Sequence, residues 1–293
     1  MSTFALPQHN YAEVNGVRLH YVSEGNGPLI LFVHGFPEFW YEWRRQIPEF
    51  ARDQLAVALD MRGYNLSSRP ADVEQYEMPL LVEDLAGLIR HLNQQTAVVV
   101  GHDWGGSVAW AFAIAHPELV DKLVIINAPH PAIFQRELRS NPAQQKASQY
   151  MLMFRSPDAE GNLSAGRYRP FAERLFGENV KKGLVSQSEI DAYVEAWSRP
   201  GGLTGGLNYY RAAKIGPPPE GTAPTAKADP GAYRVKVPTL VIWGEKDTAL
   251  LPGNLEGLEE YVPDLRIERI ADGSHWVIQE KPDRVNALIR AFL

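Results

Sequence analysis

The pentapeptide Gly101-His102-Asp103-Trp104-Gly105 constrains the fold of this chain more than any other segment. It lies between an apolar run, Ala97 to Val100, and a segment of small residues, Gly106 to Ala115. Glycines two positions before and after a central polar residue are typical of a sharp strand-to-helix turn, where the crowded backbone leaves no room for side chains. The pattern therefore predicts a strand, a strained corner that presents the Asp103 side chain, and a helix.

Serine is the usual nucleophile at such a corner, and an aspartate in its place limits the kind of carbon that the side chain can attack. A serine needs a base to remove its proton, whereas an aspartate side chain, with a reference pKa near ~3.9, is already ionised at neutral pH. A carboxylate can attack an electrophilic carbon directly. Since attack on an acyl carbon would give an anhydride, the predicted target is an alkyl carbon that bears a leaving group.

Apolar runs alternate with helical patterns over much of the chain. Two extended segments joined by Asn15-Gly16 predict an antiparallel hairpin, and continuous apolar runs predict strands covered on both faces. The leucine spacing in Met78 to Asn93 predicts an intervening helix. Together these patterns predict an α/β fold with a mostly parallel, doubly wound sheet and an antiparallel N-terminal edge. The predicted strands are Tyr11–Val14, Val17–Val22, Leu29–Val33, Leu55–Leu59, Ala97–Val100, Leu123–Ile126, Thr239–Trp243 and Leu265–Ile270.

The alternation stops near Pro129 and resumes near Val237. Helix-like patterns fill the stretch between them, including Ala143 to Phe154, Tyr168 to Phe176 and Ser188 to Trp197. This arrangement predicts an inserted helical lid. The predicted division is 1–130 for the first part of the core, 131–231 for the lid and its linker, and 232–293 for the second part. The proline- and glycine-rich segment Gly216 to Gly231 predicts a surface connection.

Composition narrows the class of protein further. A chain of 293 residues with 45% hydrophobic residues can bury a substantial core. The net charge of -6 argues against nucleic acid as a partner, and the absence of cysteine excludes disulfides and thiolate metal sites. Met1 to Asn10 lacks signal-peptide features, and no apolar stretch reaches the ~18 residues of a membrane span. We therefore expect a cytoplasmic protein with no membrane span, metal or cofactor; its oligomeric state stays open.

Five separated motifs resemble those of the epoxide hydrolases of the α/β-hydrolase fold and occur in the same order. The resemblance implies that fold, with its inserted lid, and an enzyme that uses water to convert a small-molecule epoxide to a vicinal diol. One departure is Asn65, where the family usually has glycine; asparagine tolerates left-handed dihedral angles better than most residues. The motifs are His34-Gly35-Phe36-Pro37, Asp60-Met61-Arg62-Gly63-Tyr64, Gly101 to Gly106, Trp243-Gly244-Glu245-Lys246-Asp247 and Gly273-Ser274-His275-Trp276.

The resemblance implies a catalytic triad in which an acid and then a histidine follow the nucleophile in the chain. Asp247 and His275 match that order, each just past a predicted strand. Glu245 is a competing acid, and the position where some relatives carry their acid holds the neutral Asn127. The implied roles are attack by Asp103 to form an alkyl ester, then hydrolysis of the ester by water that the histidine–acid pair activates.

The same resemblance implies an oxyanion hole and two proton donors. The backbone N–H groups of Phe36 and Trp104 are expected to hold the oxyanion. The leaving oxygen of an epoxide needs a proton donor, and tyrosine, which is protonated at neutral pH, suits that role. Lid segments that resemble the family's tyrosine positions assign Tyr150 and Tyr210, with Tyr209 as the rival of Tyr210. Phe36, Trp104, Tyr150 and Tyr210 are also expected to contact substrate.

The nearest alternative is a haloalkane or haloacid dehalogenase with the same Asp-His-Asp triad. Phe36 stands where haloalkane dehalogenases usually carry asparagine, and Trp104 where fluoroacetate dehalogenases usually carry arginine. Both departures favour the epoxide hydrolase. A receptor of the same fold would be marked by a lost triad member or lid tyrosine, and the sequence lacks neither.

Overall fold

A computed structural model describes residues 7–219 and 229–293 of the chain. Within these residues the strands are β1 (Gln8–Val14), β2 (Val17–Glu24), β3 (Leu29–Val33), β4 (Leu55–Leu59), β5 (Ala97–His102), β6 (Val120–Ile126), β7 (Thr239–Gly244) and β8 (Leu265–Ile270). They form one sheet in the order β1-β2-β4-β3-β5-β6-β7-β8. β2 pairs antiparallel with β1 and β4, and all other pairings are parallel. The expected mostly parallel sheet with an antiparallel N-terminal edge is confirmed.

Every predicted strand is present, but two begin three residues earlier than the apolar pattern indicates. β1 begins at Gln8 because Gln8, His9 and Asn10 continue the ladder with β2. β6 begins at Val120, beside Ala97 of β5. Backbone pairing at a strand end needs no apolar side chain, so hydrophobic periodicity does not detect such extensions.

Helices cover both faces of the sheet. They are α1 (Ile47–Phe50), α2 (Met78–His91), α3 (Asp103–Ala115), α4 (Pro131–Ser140), α5 (Pro142–Ala147), α6 (Gln149–Arg155), α7 (Ala159–Ser164), α8 (Arg169–Lys181), α9 (Gln187–Ser198), α10 (Thr204–Ala213), α11 (Val277–Glu280) and α12 (Pro282–Arg290). Alternate residues of β3 belong to two buried clusters, Leu31 with α2 and α3, and Phe32 with α1 and α12. Burial on both faces explains the continuous apolar sequence of this strand. In the part of the chain that the structure describes, no helix is both long and apolar enough to cross a membrane.

Helices α4 to α10 lie between β6 and β7 in the chain. We propose that they form the expected lid, with the boundaries given above; residues 220–228 of the expected linker lie outside the described residues. The helical pattern from Ala143 to Phe154 forms two helices, α5 and α6, which meet at Ser148. The buried Ser148 hydroxyl accepts a hydrogen bond of 2.8 Å from Gln144, whose side-chain amide also donates to the Ala249 carbonyl at 2.7 Å. This local side-chain bonding accompanies the break.

The loop after β4 has a structural role. Asn65 adopts the left-handed conformation, with φ 39°, as its tolerance of that region predicts. Its side chain donates to Oδ2 of the buried Asp60 at 2.8 Å. The other oxygen of Asp60 accepts the Trp40 N–H at 2.9 Å, and His20 contacts Oδ2 at 2.6 Å. Asp60 is therefore fully engaged in joining this loop to β2 and to the segment that follows β3.

Candidate active site

Asp103 occupies a strained corner between β5 and α3. Its φ of 49° lies in the left-handed region, which costs a residue with a side chain about 1–3 kcal/mol. The glycines around it are required by close approach: a β-carbon at Gly105 would lie 2.1 Å from the Val33 carbonyl oxygen, and one at Gly35 would lie 2.4 Å from Cβ of Asp103. The sequence thus packs this turn tightly against the end of β3 and holds the carboxylate in one place.

The two carboxylate oxygens of Asp103 have different surroundings. Oδ1 accepts the backbone N–H of Phe36 at 2.8 Å. Oδ2 lies 3.7 Å from Nε2 of His275. One oxygen is therefore held by a backbone donor, as expected for an oxyanion position, while the other faces the histidine. Trp104, whose N–H is the second expected donor, follows in the first turn of α3.

Asp247 follows β7 and holds the ring of His275, which follows β8. Nδ1 of His275 lies 2.7 Å from Oδ2 of Asp247. Oδ1 of Asp247 accepts the N–H groups of Ala249 and Leu250 at 2.8 and 2.9 Å, and the Asn127 amide donates to Oδ2 at 2.8 Å. Burial raises the pKa of Asp247, but the histidine and these donors outweigh burial and lower the pKa below its ordinary value. Asp247 is therefore an ionised acceptor that orients the imidazole.

The charge state of His275 follows from the carboxylates around it. Burial lowers its pKa, but the nearby Asp247 and Asp103 carboxylates outweigh burial and raise the pKa from about 6.5 to about 9. At neutral pH the imidazole is therefore protonated in the free protein. Removal of either negative charge would lower this pKa, since both carboxylates raise it.

This raised pKa predicts a pH dependence of stability. A pKa that is higher in the folded than in the unfolded state stabilises the fold fully below pH 6.5, and this contribution is lost as the pH rises through about 9. At about 1.4 kcal/mol per pKa unit, it amounts to about 3 kcal/mol at most. We expect the free energy of unfolding of the wild type, relative to His275→Gln, to fall across this range. Urea titrations at pH 6 to 10 measure the difference, and a constant difference would contradict the expectation.

A cavity of about 590 Å³ opens above Asp103 and His275. Helices α5, α6, α8 and α10 contribute much of its wall. Most of the lining is aromatic or apolar, which suits an uncharged organic substrate, and Lys146, Gln149 and Arg174 add polar groups to it. Side chains that line it include Phe36, Tyr150, Met153, Phe154, Phe171, Tyr210 and Trp276.

Two tyrosines from different helices line this cavity together with Asp103. Tyr150 lies on α6 and Tyr210 on α10, and their ring centroids are 6.4 Å apart. Burial, with the Asp103 charge as the next cause, raises the pKa of both well above the ordinary value. Both hydroxyls are therefore protonated at neutral pH and can donate a hydrogen bond. Tyr209 instead donates its hydroxyl to the Arg62 carbonyl at 2.9 Å.

Trp104, which the sequence predicts to contact substrate, is not among the residues that line the cavity above Asp103 and His275, and it lines a second cavity instead. The second cavity measures about 730 Å³ and is lined by Trp104 but not by Asp103 or His275. A gap of about 20 Å³ lies between the two and is bordered by Asp103, Trp104, Tyr150 and Tyr210. The Asp103 carboxylate therefore lines the cavity of about 590 Å³ and not the cavity of about 730 Å³.

Two residues that touch this site were missed by the sequence analysis. His102, the residue before the corner, lies 2.9 Å through Nε2 from the carbonyl oxygen of His275. Glu42 lies 2.5 Å from the other ring nitrogen of His102. The sequence feature that could have indicated Glu42 is its position as the single acidic residue within the aromatic segment Phe39 to Trp43. Among residues 7–219 and 229–293, no group of three potential metal ligands is close enough to hold an ion.

Comparison with known proteins identifies relatives over the whole chain. Residues 28–282 match the alpha/beta hydrolase fold family. Epoxide hydrolase 3 of Xenopus tropicalis is 38% identical, over 100% of this chain and 80% of that protein, and AB hydrolase superfamily protein YfhM of Bacillus subtilis is 37% identical, over 97% and 96%. A Bacillus megaterium epoxide hydrolase variant, solved with its naphthyloxy-propane-diol product, superposes with a TM-score of 0.87 at 38% identity, over 97% of this chain and 99% of the other.

Proposed function

Since this chain belongs to the epoxide hydrolases of the α/β-hydrolase fold, we propose that it converts epoxides to vicinal diols through an ester formed on Asp103. One observation carries the proposal: a carboxylate and two protonated tyrosines line the same largely apolar cavity. The carboxylate supplies a nucleophile, and the tyrosines supply the donors that an epoxide oxygen needs as its ring opens. A halide leaving group needs no proton, so the tyrosines favour an epoxide over a haloalkane.

In the first step, Oδ2 of Asp103 attacks a ring carbon of the epoxide. The new bond joins Oδ2 to that carbon, and the bond between the carbon and the epoxide oxygen breaks. The oxygen takes a proton from Tyr150 or Tyr210, each of which is a neutral donor. Oδ1 keeps its hydrogen bond from the Phe36 N–H at 2.8 Å, so the ester forms with its carbonyl oxygen already in the oxyanion position.

In the second step, water attacks Cγ of Asp103. Alkylation has removed the charge of this carboxylate, which is one cause of the raised pKa of His275. The pKa therefore falls, the imidazolium proton passes to the tyrosinate left by ring opening, and the neutral imidazole then accepts the water proton at Nε2. The N–H groups of Phe36 and Trp104 stabilise the oxyanion on Oδ1. The bond between Cγ and Oδ2 then breaks, and Oδ2 leaves as a hydroxyl of the diol with the proton from His275. The new carboxylic acid on Asp103 returns its proton to the imidazole, which restores both the carboxylate and the protonated histidine.

The tyrosine pair gives a prediction for the first step alone. Tyr150→Phe and Tyr210→Phe should each slow ring opening by about tenfold to a hundredfold, and the double variant by about 10³-fold, within the usual contribution of a positioned acid. Single-turnover kinetics of ester formation measure the effect. Because the rings remain, the shape of the cavity is preserved.

Tyr209→Phe is the matched control for these variants. Its hydroxyl is buried against the Arg62 carbonyl and does not line the catalytic cavity. We expect it to lose about 1 kcal/mol of stability, as for one buried hydrogen bond, while ring opening keeps its rate. A double variant, Tyr150→Phe with Tyr210→Phe, that opened the ring at the wild-type rate would remove both tyrosines from the mechanism.

A product assay tests the proposed function as a whole. Purified protein is incubated with aryl, alkyl and fatty-acid epoxides and with short haloalkanes, and both diol and halide are measured. Diol formation supports the proposal. Halide release without diol would overturn it in favour of a dehalogenase, and turnover of neither class would show that the cavity serves another substrate.

A further inference from the structure

A buried pair of side chains, Glu42 and His102, lies directly behind the histidine of the site. The Glu42 side chain reaches Nδ1 of His102 at 2.5 Å. Nε2 of the same ring lies 2.9 Å from the carbonyl oxygen of His275. Both residues are at most 2% exposed. The pair thus connects the loop after β3 with the backbone that carries the catalytic imidazole.

The hydrogen atoms of this pair can be counted from the contacts. A carbonyl oxygen only accepts, so Nε2 of His102 must carry the hydrogen that points to His275. A second hydrogen must lie between Nδ1 and Glu42, because a lone pair facing a carboxylate at 2.5 Å would be repulsive. That proton belongs either to a neutral carboxylic acid or to an imidazolium. In both cases the pair has no net charge.

We propose that Glu42 acts as a neutral carboxylic acid that positions His275 through His102. Its O–H donates to Nδ1 of His102 and so fixes the tautomer whose Nε2–H holds the His275 carbonyl. Glu42 does not touch the reacting atoms and is a positioning residue. The inference rests on the proposed function, since it assigns Glu42 to the hydrolysis of the ester on Asp103.

The surroundings support placing the proton on Glu42. Burial, followed by the negative charge of Asp103, raises the pKa of Glu42 well above its ordinary value. The backbone N–H of Gly35, followed by His275 and Arg44, opposes this only in part. Burial, followed by the positive charge of His275, lowers the pKa of His102 to about 3. Both changes favour the uncharged forms of the two partners.

The two chemical steps depend differently on this arrangement. Ring opening uses Asp103, which the Phe36 N–H holds independently of His275. Ester hydrolysis requires Nε2 of His275 to hold a water against Cγ of Asp103, and Nε2 now lies 3.7 Å from Oδ2. A displacement of the imidazole by a fraction of that distance would misplace the water. Loss of the Glu42 hydrogen bond should therefore affect the second step and leave the first unchanged.

Two substitutions at one position test this directly. Glutamine keeps a donor that can point at Nδ1 of His102, whereas leucine removes it. In single-turnover experiments with an epoxide, we expect Glu42→Leu to slow ester hydrolysis by about tenfold, the size of one lost buried hydrogen bond, so that the ester accumulates. Glu42→Gln should hydrolyse the ester at nearly the wild-type rate, and all three proteins should form the ester equally fast.

Two kinetic outcomes would overturn the inference. Wild-type hydrolysis by Glu42→Leu would show that Glu42 positions nothing, and an equal loss in Glu42→Gln would show that the donor is not a neutral acid. Diol formation by the wild type tests the proposed function separately.

Nitrogen-15 NMR of the unmodified protein provides a test that needs no variant. We expect His102 to carry hydrogen at Nε2 alone, and an imidazolium at neutral pH would refute the proposal.

Discussion

Replacing His275 with glutamine should leave the protein with an alkyl group on Asp103 after it meets an epoxide. In the proposed mechanism, ring opening uses the Asp103 carboxylate and the two tyrosines, and this substitution removes none of them. Hydrolysis loses its general base, which contributes about 10²- to 10⁴-fold, so the ester should accumulate. Intact-protein mass spectrometry should show one adduct with the mass of the substrate, and peptide mapping should locate it on Asp103.

A double variant at Asp103 and His275 is the control for this trapping experiment. The double variant His275→Gln with Asp103→Ala keeps the cavity but has no nucleophile, so we expect no adduct. An adduct on any other residue, or full turnover by His275→Gln alone, would refute the two-step mechanism. Both variants keep Tyr150 and Tyr210, so the absence of an adduct in the double variant cannot result from loss of the proton donors for ring opening.

Asp103→Ala alone should abolish diol formation. Removal of a covalent nucleophile commonly lowers turnover by about 10⁴-fold or more, and no other carboxylate lines the cavity among the described residues. Product formation is measured by chromatography. The substitution also removes the acceptor of the Phe36 N–H, so the folded state of the variant should be checked by circular dichroism.

Labelled water separates an ester mechanism from direct attack by water in the wild type. If Asp103 forms the ester, a single turnover in ¹⁸O-water should release an unlabelled diol and leave the label in the carboxylate of Asp103. Direct attack by activated water would place the label in the diol. The second outcome would keep the enzyme class but remove the covalent step.

Much of the site could be placed from the sequence because parallel strands end at one edge of a sheet. Asp103 follows β5, Asp247 follows β7 and His275 follows β8, so a correct assignment of these strands brings the three residues together. The structure places His275 between the two aspartates, 2.7 Å from Asp247 and 3.7 Å from Asp103. Local turn patterns and strand order were sufficient for that arrangement, while the roles of the residues stay proposals.

Other features depend on contacts that periodicity does not encode. The helical period states that Tyr209 and Tyr210 point about 100° apart, but only packing decides which one faces the cavity. Similarly, nothing in the local sequence links Glu42 to His102, which is sixty positions away. The division between α5 and α6 depends on hydrogen bonds of Gln144 and Ser148, and an amphipathic pattern continues across it.

The left-handed backbone of Asp103 also bears on how such a protein diverges from its ancestors. The strain at φ 49° belongs to the main chain, and every residue with a β-carbon is strained there, although aspartate and asparagine tolerate this region better than most residues. Exchanging Asp103 for another short side chain would therefore keep the turn but remove one of the two carboxylate charges that raise the pKa of His275. A change of the proposed nucleophile would thus leave the corner and its glycines as they are, and we expect the compensating changes at the histidine and at the leaving-group donors.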